Sequence, residues 1–418
     1  MTTPAPGAPD KRPLARGRLL AFLGVALVAL TMRTAVGSMS PIIGSIDDDL
    51  HLDHLVLSII GAAPPLAFAL SGLLAPLIAR RLGLEGALLA LTIVGGIGHL
   101  LRALAPDPGI LLLGTVLALL GAGCCNVLLP PIVKRYFPDR IGTMTALYVT
   151  VMSLGATVPP IVAVPIADAA GWRVSLGVWC LLAVVAAAPW VWQLLTTGRH
   201  VENLDTEARG IEAANAGIGR RLFRSPVAWS MALLFGTPSI TAYAAFAWLP
   251  SLTAELSGVD AAQAGALLGA FALCGIPAAL IMPILAVRLR SVTPLIVAGL
   301  LFALSGYAGF LFAPTVAPLA WTVLIGLGPI LFPLALTLIN LRTRTQIGAV
   351  ALSGFVQGFG YVIGAAGPLV VGLLRDATGG WQVPIYFLLG SLVLAVPALV
   401  VLSRPRFVED DLVRRPRN

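Results

Sequence analysis

Residues 19–45, LLAFLGVALVALTMRTAVGSMSPIIGS, form an apolar run long enough to cross a lipid bilayer. A spanning helix needs about 20 mostly apolar residues. One arginine, Arg33, lies near the middle of the run. A charge at that depth costs about 2.5–3.5 kcal/mol on insertion scales, and a guanidinium cannot escape by losing its proton. Arg33 must therefore meet water, carbonyls, a carboxylate or a ligand.

Two interpretations of Arg33 follow from this depth. It either anchors an anionic substrate or serves a structural role, tied to backbone carbonyls or to a lipid headgroup. Charged residues inside a membrane mark function by default. We therefore favour Arg33 as a substrate-binding residue.

The composition of the rest of the chain agrees with a helical membrane protein. Of its 418 residues, 58% are hydrophobic and 11% are charged, and its mean hydropathy is +0.94. Soluble domains average about 25% charged residues. The first apolar run is too long for a cleavable signal peptide and lacks a clear cleavage site. The bilayer is thus the expected environment, and the net charge of +8 does not indicate a nucleic-acid partner.

Twelve apolar segments are long enough to span a bilayer. They are 18–43, 55–79, 86–104, 109–133, 142–167, 173–196, 226–251, 261–287, 292–312, 316–340, 348–374 and 382–403. We expect an all-α membrane protein of twelve transmembrane helices in two pseudo-symmetric six-helix bundles. The expected parts are a cytoplasmic tail (1–17), an N-terminal bundle (18–197), a cytoplasmic linker (198–225), a C-terminal bundle (226–403) and a second cytoplasmic tail (404–418).

The placement of basic residues predicts the orientation. With the N-terminus inside, the inner segments hold most of the arginines and lysines, and the outer ends hold only Arg102, Arg173 and Arg375. This positive-inside bias puts both termini in the cytoplasm, as in a multi-pass protein of the cytoplasmic membrane. The acidic cluster formed by Asp47, its neighbours and Asp53 then falls outside, after the first span.

The two halves repeat weakly. DAAGW (168–172) ends the fifth span, and DATGGW (376–381) ends the eleventh. Pro130 followed by Ile141 matches Pro333 followed by Ile347 around the fourth and tenth spans. Two related bundles with a central site are typical of transporters with alternating access.

The loop after the second span, PLIARRLGLE (76–85), resembles the loop motif of the major facilitator superfamily in degraded form. Arg81 and Gly83 match the motif, whereas Arg80 stands in place of the usual acid and Glu85 in place of a usual base. The resemblance implies the major facilitator fold and a small-molecule substrate.

A closer resemblance is to the cyanate and nitroimidazole permease branch of that superfamily. The matching stretches are RTAVGSMSP (33–41), NVLLPPIVKRYFP (126–138), AWLP (247–250) and LSGFVQGFGY (352–361). The resemblance extends over nearly the whole chain, and the eleventh-span stretch is the most specific. Where the branch often carries glutamine in the seventh and tenth spans, this chain has Pro238 and Pro329. The resemblance implies a permease for a small anionic or acceptor-rich compound, such as a cyanate-like anion, a small carboxylate or a nitroaromatic.

Several polar side chains at membrane depth are further candidates for substrate binding. Gln357 and Tyr361 share a face of the eleventh span, which either packs closely or borders the pathway; we favour the pathway. Asn126 either lines the cavity or bonds a neighbouring helix, and the sequence does not separate these alternatives.

The seventh span offers a second pair, Ser239 and Tyr243, at the same spacing. Pro238 and Pro250 are expected to break or bend this helix, and broken helices at membrane depth usually line a cavity. Tyr148 and Trp248 are weaker candidates, and Trp248 is alternatively an anchor at the membrane surface.

Coupling to an ion has two candidates near the outer end, His99 and Asp47. A lone histidine in that place is more often a packing residue, and Arg102 nearby is expected to extend its charge to the interface. None of the 19 acidic residues falls in the middle of a predicted span. Arg33 therefore has no expected carboxylate partner, and the central field favours an anion or an acceptor-rich neutral molecule.

We expect a secondary active or facilitative transporter that works as a monomer and needs no cofactor or metal. One alternative is a multidrug/proton antiporter, for which GATVPP (155–160) is at best a fragment of the fifth-span motif. A membrane-embedded enzyme would need clustered catalytic groups, and the four histidines are scattered. A sensor without transport is the remaining alternative.

Overall fold

The structure is a computed structural model, and it describes residues 18–137, 139–197, 221–344, 346–404 and 406–413. These residues form helices joined by short connections, with no strand among them. The expected tail at 1–17 and most of the expected linker lie outside the described residues, so the domain boundaries remain predictions.

The N-terminal half contains the helices Leu19–Thr31, Thr34–Gly37, Ser40–Ile42 (3₁₀), Ile43–Leu50, His54–Ala103, Pro108–Tyr136, Ile141–Ala170 and Trp172–Thr197. The C-terminal half contains the helices Pro226–Ser257, Ala261–Leu273, Gly275–Arg288, Thr293–Phe312, Pro318–Leu327, Gly328–Ile330 (3₁₀), Leu331–Leu341, Gln346–Thr378, Gln382–Ser391, Leu392–Ala395 (3₁₀), Val396–Val401 and Val408–Val413. Short breaks divide several of these spans, as described below.

Within the described residues, eleven helical stretches are long and apolar enough to cross a membrane. One of them, Val56–Ala103, has 48 residues and would be about 72 Å long as a single helix. That is more than twice the roughly 30 Å of a hydrocarbon core. Gly83 divides it, since its backbone (φ 73°, ψ 170°) leaves the helical region for one that essentially only glycine adopts. The stretch therefore supplies the second and third spans, and the total is the expected twelve.

The first span is longer and less regular than its sequence suggests. Its main helix ends at Thr31, and a new helix begins at Thr34, so Arg33 lies at a break in the helix. A further helix, Ile43–Leu50, extends the span beyond residue 43, where we expected it to end. Asp47 and its two acidic neighbours are therefore on the last turns of a helix rather than in a loop.

The seventh span, in contrast, has no break. Pro226–Ser257 is one helix that includes Pro238 and Pro250, so of the two expected effects, a break or a bend, the break does not occur. Hydroxyl groups around the prolines bond to nearby carbonyls of the same helix, as Thr237 does to Leu233 O (2.9 Å) and Thr253 to Leu249 O (2.9 Å). Such bonds help membrane helices tolerate proline. In the C-terminal half, the breaks lie instead in the eighth span at Cys274, in the tenth at Gly328–Ile330 and in the twelfth at Leu392–Ala395.

The ends of the two halves that are predicted to face outward are built in the same way. In the N-terminal half, Asp49 accepts a hydrogen bond from Trp172 Nε1 (3.1 Å) and pairs with Arg173. In the C-terminal half, Glu255 accepts one from Trp381 Nε1 (2.9 Å) and pairs with Arg375. The repeated DAAGW and DATGGW stretches thus end in equivalent contacts, which supports the pseudo-symmetry of the bundles.

The halves meet along two seams. The second span packs on the eleventh, and the fifth packs on the eighth. Glycines permit the close approach: a Cβ at Gly61 would lie 2.9 Å from the Cβ of Ala247, and a Cβ at Gly372 would overlap Ser58 Oγ and lie 2.8 Å from Trp248. These contacts close the end of the molecule that is predicted to face outward.

Candidate substrate site in the central cavity

A cavity of about 950 Å³ lies between the two halves, and we call it the central cavity. It reaches from Arg33 to Val287 and Leu341, which lie near the ends of the eighth and tenth spans predicted to face the cytoplasm. Six of the eight predicted substrate-binding residues line it: Arg33, Asn126, Tyr148, Tyr243, Gln357 and Tyr361. No aspartate or glutamate is among its described lining residues.

Arg33 projects from the break in the first span to the wall of this cavity. Its Nη1 donates to the hydroxyl of Tyr243 at 3.5 Å, near the outer limit for a hydrogen bond. None of the ion pairs found among the described residues includes Arg33. A guanidinium has five N–H donors, so most of them are available to an acceptor in the cavity.

Aromatic rings, rather than a carboxylate, surround the guanidinium. Its carbon lies 4.9 Å from the ring centroid of Phe68, within the range of a cation–π contact. The Phe68 centroid is 6.5 Å from that of Tyr243 and 6.0 Å from that of Tyr361, and the two tyrosines are 6.3 Å apart. The sequence did not reveal Phe68, since an apolar residue in an apolar span carries no local signal of such a contact.

The tyrosines add hydrogen-bonding capacity to this group. Because the Tyr243 hydroxyl accepts from Arg33, its own hydrogen is free to donate elsewhere. Tyr361 lines the same wall four residues after Gln357. The part of the cavity around Arg33 is therefore rich in hydrogen-bond donors and suits a ligand with an anionic or strongly accepting end.

Asn126 and Gln357 were each predicted either to border the pathway or to pack against a neighbouring helix. Their surroundings favour the pathway. No hydrogen bond found in the described part of the chain ties Asn126 to another helix, and the residue lines the cavity. Gln357 Nε2 donates to Ser353 Oγ (2.8 Å) in its own span. A Cβ at Gly354 or Gly358 would meet no atom within 4 Å, so no side chain packs on these glycines.

Two of the eight predicted substrate-binding residues, Ser239 and Trp248, do not line the central cavity. Ser239 is fully buried and donates to Phe235 O (2.8 Å), against Gly364 of the eleventh span. Four residues on a helix turn about 400°, which leaves Ser239 about 40° from Tyr243, and here that rotation places it in a helix interface. Trp248 donates from Nε1 to Pro368 O (2.9 Å), so it joins the seventh and eleventh spans and borders a different cavity.

The two coupling candidates are also outside the central cavity. His99 is buried, with Nε2 3.3 Å from Thr34 Oγ1 in the first span. Asp47 Oδ1 accepts from Leu52 N (2.7 Å) and so closes the turn after the first span. Arg102, expected to reach the interface, is instead fully buried, because the first span covers it.

Glu85 of the loop motif after the second span contacts two residues of the fourth span. Glu85 is buried, accepts from the Tyr136 hydroxyl (2.8 Å) and pairs with Arg135 (3.4 Å). Tyr136 and Arg135 belong to the end of the fourth span. The acid that is absent at Arg80 is thus replaced by a carboxylate at Glu85, which pairs with a base on another span.

Comparisons with known proteins agree with this architecture. The sequence model of the Major Facilitator Superfamily matches residues 22–365. The chain is 33% identical to the uncharacterized transporter YycB of Bacillus subtilis (strain 168), over 92% of this chain and 94% of that protein. It is 31% identical to the 2-nitroimidazole transporter of Escherichia coli (strain K12), over 91% and 94% of the two chains. It is 27% identical to the cyanate transport protein CynX of the same organism, over 86% and 91%.

Among solved structures, a bacterial homologue of the human lysosomal transporter Spinster, in an inward-facing and occupied conformation, has a TM-score of 0.72. The match covers 97% of this chain and all of that one, at 15% sequence identity, so it bears on the fold alone. The resemblance to the cyanate and nitroimidazole branch is confirmed by the sequence relatives.

Proposed function

Because the chain belongs to the Major Facilitator Superfamily and is a multi-pass membrane transporter, we propose that it moves a small anionic or acceptor-rich compound by alternating access, with Arg33 as the central anchor. The class includes cyanate-like anions, small carboxylates and nitroaromatics. The membrane is the cytoplasmic membrane, with both termini inside.

One observation carries this proposal: a guanidinium without a carboxylate partner borders the central cavity. In a site walled by protein, a fixed charge acts through a lower dielectric than in water, so its attraction for an anion is strong. The same field repels cations. The adjoining hydroxyl of Tyr243 gives the bound acceptor a second donor.

The substrates named for two relatives share this chemistry. One relative is a 2-nitroimidazole transporter and another a cyanate transport protein. A nitro group and a cyanate ion are both small and rich in acceptor atoms. An anchor that donates hydrogen bonds, such as Arg33, would suit either acceptor group.

The shape of the cavity supports alternating access. It extends to the predicted cytoplasmic ends of the eighth and tenth spans, while the seam at Gly61 and Gly372 closes the opposite end. This is the arrangement of an inward-facing state.

The alternative of a multidrug/proton antiporter gains little from the structure. The motif fragment begins at Gly155, where a Cβ would overlap the carbonyl oxygen of Leu30 just before the break in the first span. A Cβ at Gly37 would similarly lie 3.3 Å from Pro160. These residues allow the first and fifth spans to approach each other, which accounts for small residues and prolines there without antiport.

A ligand panel on the purified protein tests the proposal. Cyanate, small carboxylates, 2-nitroimidazole and hydrophobic cations are compared by thermal shift, since a ligand at 100 times its Kd stabilises the folded state by about 2.7 kcal/mol. We expect stabilisation only by anionic or acceptor-rich compounds, and uptake of those compounds into proteoliposomes. Stabilisation by hydrophobic cations alone would favour the multidrug alternative.

A further inference from the structure

A second cavity of about 320 Å³ lies between the halves at the predicted outer end, and we call it the outer cavity. Ala35, Met39 and Ser40 of the first span border it, as does Arg102 of the third. Phe246 borders both cavities. The short helix Thr34–Gly37 follows Arg33 directly, so the first span contributes to both cavities within a few residues.

Arg102 is fully buried and incompletely bonded. Its Nη1 is 3.5 Å from Ala35 O and its Nη2 is 3.5 Å from Ser38 Oγ, both at the long limit of hydrogen bonds. Its Nε has no hydrogen-bond partner. The ion pairs of the described residues do not include Arg102. An arginine buried in this way at the edge of a cavity has donors to spare.

Ser40 provides an independent sign of a ligand. Its Oγ is buried and also lacks a hydrogen-bond partner, and the residue borders the same cavity. Buried polar groups in native proteins are almost always satisfied by protein, water or a ligand, because an unsatisfied one costs about 1–3 kcal/mol. Three such groups, Ser40 Oγ, Arg102 Nε and Arg375 Nε, belong to residues of different spans that border one cavity, and its size can hold a small molecule.

The other charged groups around the outer cavity already have bonding partners. Asp47 Oδ1 accepts from the Leu52 amide, and Arg375 pairs with Glu255. Glu255 offsets the charge of Arg375, so Arg102 and Asp47 are the remaining charges on the lining. Arg375 Nε also lacks a hydrogen-bond partner, but Arg102 is the arginine of this lining that takes part in none of the ion pairs found.

We propose that Arg102 forms a second anion-binding site in the outer cavity, which holds the anionic or acceptor end of the substrate on the outer side of Arg33. The inference rests on the proposed function for its substrate class. Substrate would move between two guanidiniums on either side of residues 34–38, and would not have to cross an apolar layer with its charge unpaired.

Binding stoichiometry tests this site. The probe is ¹⁴C-thiocyanate, a linear monovalent anion, measured by equilibrium dialysis on the purified full chain. We expect two thiocyanate ions per wild-type chain, one in R102Q, one in R33Q and none in the double variant. R290Q removes an exposed arginine and serves as the matched control, which should keep both ions.

Two further variants separate binding from support of the fold. S40A removes a hydroxyl for which no hydrogen bond to Arg102 or Arg33 is found. It should lower the binding affinity of only one of the two thiocyanate ions, several-fold. R102K keeps the charge and should retain the second ion with reduced affinity. If Arg102 only held the first span in place, R102Q would also lower the affinity for the ion at Arg33, and S40A would not change thiocyanate binding.

The outcomes that overturn the proposal are distinct from failure of the central site. A single thiocyanate per wild-type chain that is lost in R33Q refutes the outer site and leaves the central anchor intact. No binding to the wild type also refutes the outer site. One ion lost in R102Q, with R33Q still binding two, upholds the outer site and instead contradicts Arg33 as the anchor.

Discussion

At the scale of single residues, Arg33 is compensated by aromatic rings and a phenol instead of a carboxylate. Phe68 contributes its ring face and Tyr243 a lone pair. Neither contact neutralises the charge. An ion pair with Asp or Glu would compete with an anionic substrate, whereas the aromatic cage leaves the positive field available. The functional interpretation of Arg33 therefore accounts for its partners better than a purely structural role.

Substitution of Arg33 gives the first prediction. R33K keeps a charge but loses the planar, bidentate donor, and R33A loses both. A hydrogen bond to a charged group is worth about 1.5–3 kcal/mol, so we expect transport to fall about 10- to 100-fold in R33A and less in R33K. Uptake of the compound identified by the ligand panel measures this, at matched expression. Wild-type uptake by R33A would contradict the assignment.

Substitution of Tyr243 gives a second prediction, with a smaller expected effect than that of Arg33. Y243F keeps the ring beside Phe68 but removes the hydroxyl that accepts from Arg33 and is free to donate. The loss of a neutral hydrogen bond costs about 0.5–1.5 kcal/mol, which corresponds to a rise in KM of about two- to tenfold. S239A is the control, because Ser239 bonds only within its own helix. Equal effects of the two variants would show that the hydroxyl of Tyr243 does not contact substrate.

At the scale of elements, glycines in the eleventh span occupy two kinds of position, one packed against neighbouring side chains and one with open space beside it. Gly372 contacts Ser58 and Trp248 across the closed outer end, whereas Gly358 meets nothing within 4 Å. A side chain at the first position opposes closure, and one at the second does not.

Gly372 therefore supports a third prediction. G372V should destabilise the inward-facing state and shift the protein towards an outward-open one, because its side chain cannot fit beside Ser58 and Trp248. The measurement is the labelling rate of S58C by an impermeant thiol reagent in a cysteine-free protein, which should rise in G372V. G358V is the matched control on the same helix. An unchanged labelling rate in G372V would show that this seam does not gate the outer end.

At the scale of the whole molecule, orientation follows from the arginine distribution and can be checked directly. D53C lies between the first and second spans, and R290C between the eighth and ninth; both native side chains are exposed. In intact cells carrying cysteine-free variants, we expect D53C to react with an impermeant thiol reagent and R290C to react only after permeabilisation. The reverse pattern would overturn the predicted topology.

Energy coupling is the last whole-molecule property that the structure addresses. The described lining of the central cavity contains no carboxylate, and Arg33 cannot cycle a proton. We therefore expect facilitated diffusion or exchange, measured as counterflow in proteoliposomes. Uphill accumulation driven by a pH gradient, for a substrate that does not titrate and in both D47N and H99Q, would contradict this account.

The class, the number of spans and their approximate limits could be predicted from the sequence, because they depend on a local quantity, the length of apolar runs. The cost of a charge at membrane depth likewise singled out Arg33 as a candidate. Tyr243, Gln357 and Tyr361 were predicted to border the pathway, and they line the central cavity. The tertiary structure was needed to find that Phe68 contacts Arg33, that Ser239 turns into a helix interface and that Arg102 is buried. Each of these depends on how segments far apart in the chain pack together, and the periodicity of a uniformly apolar helix carries little information about which face meets which neighbour.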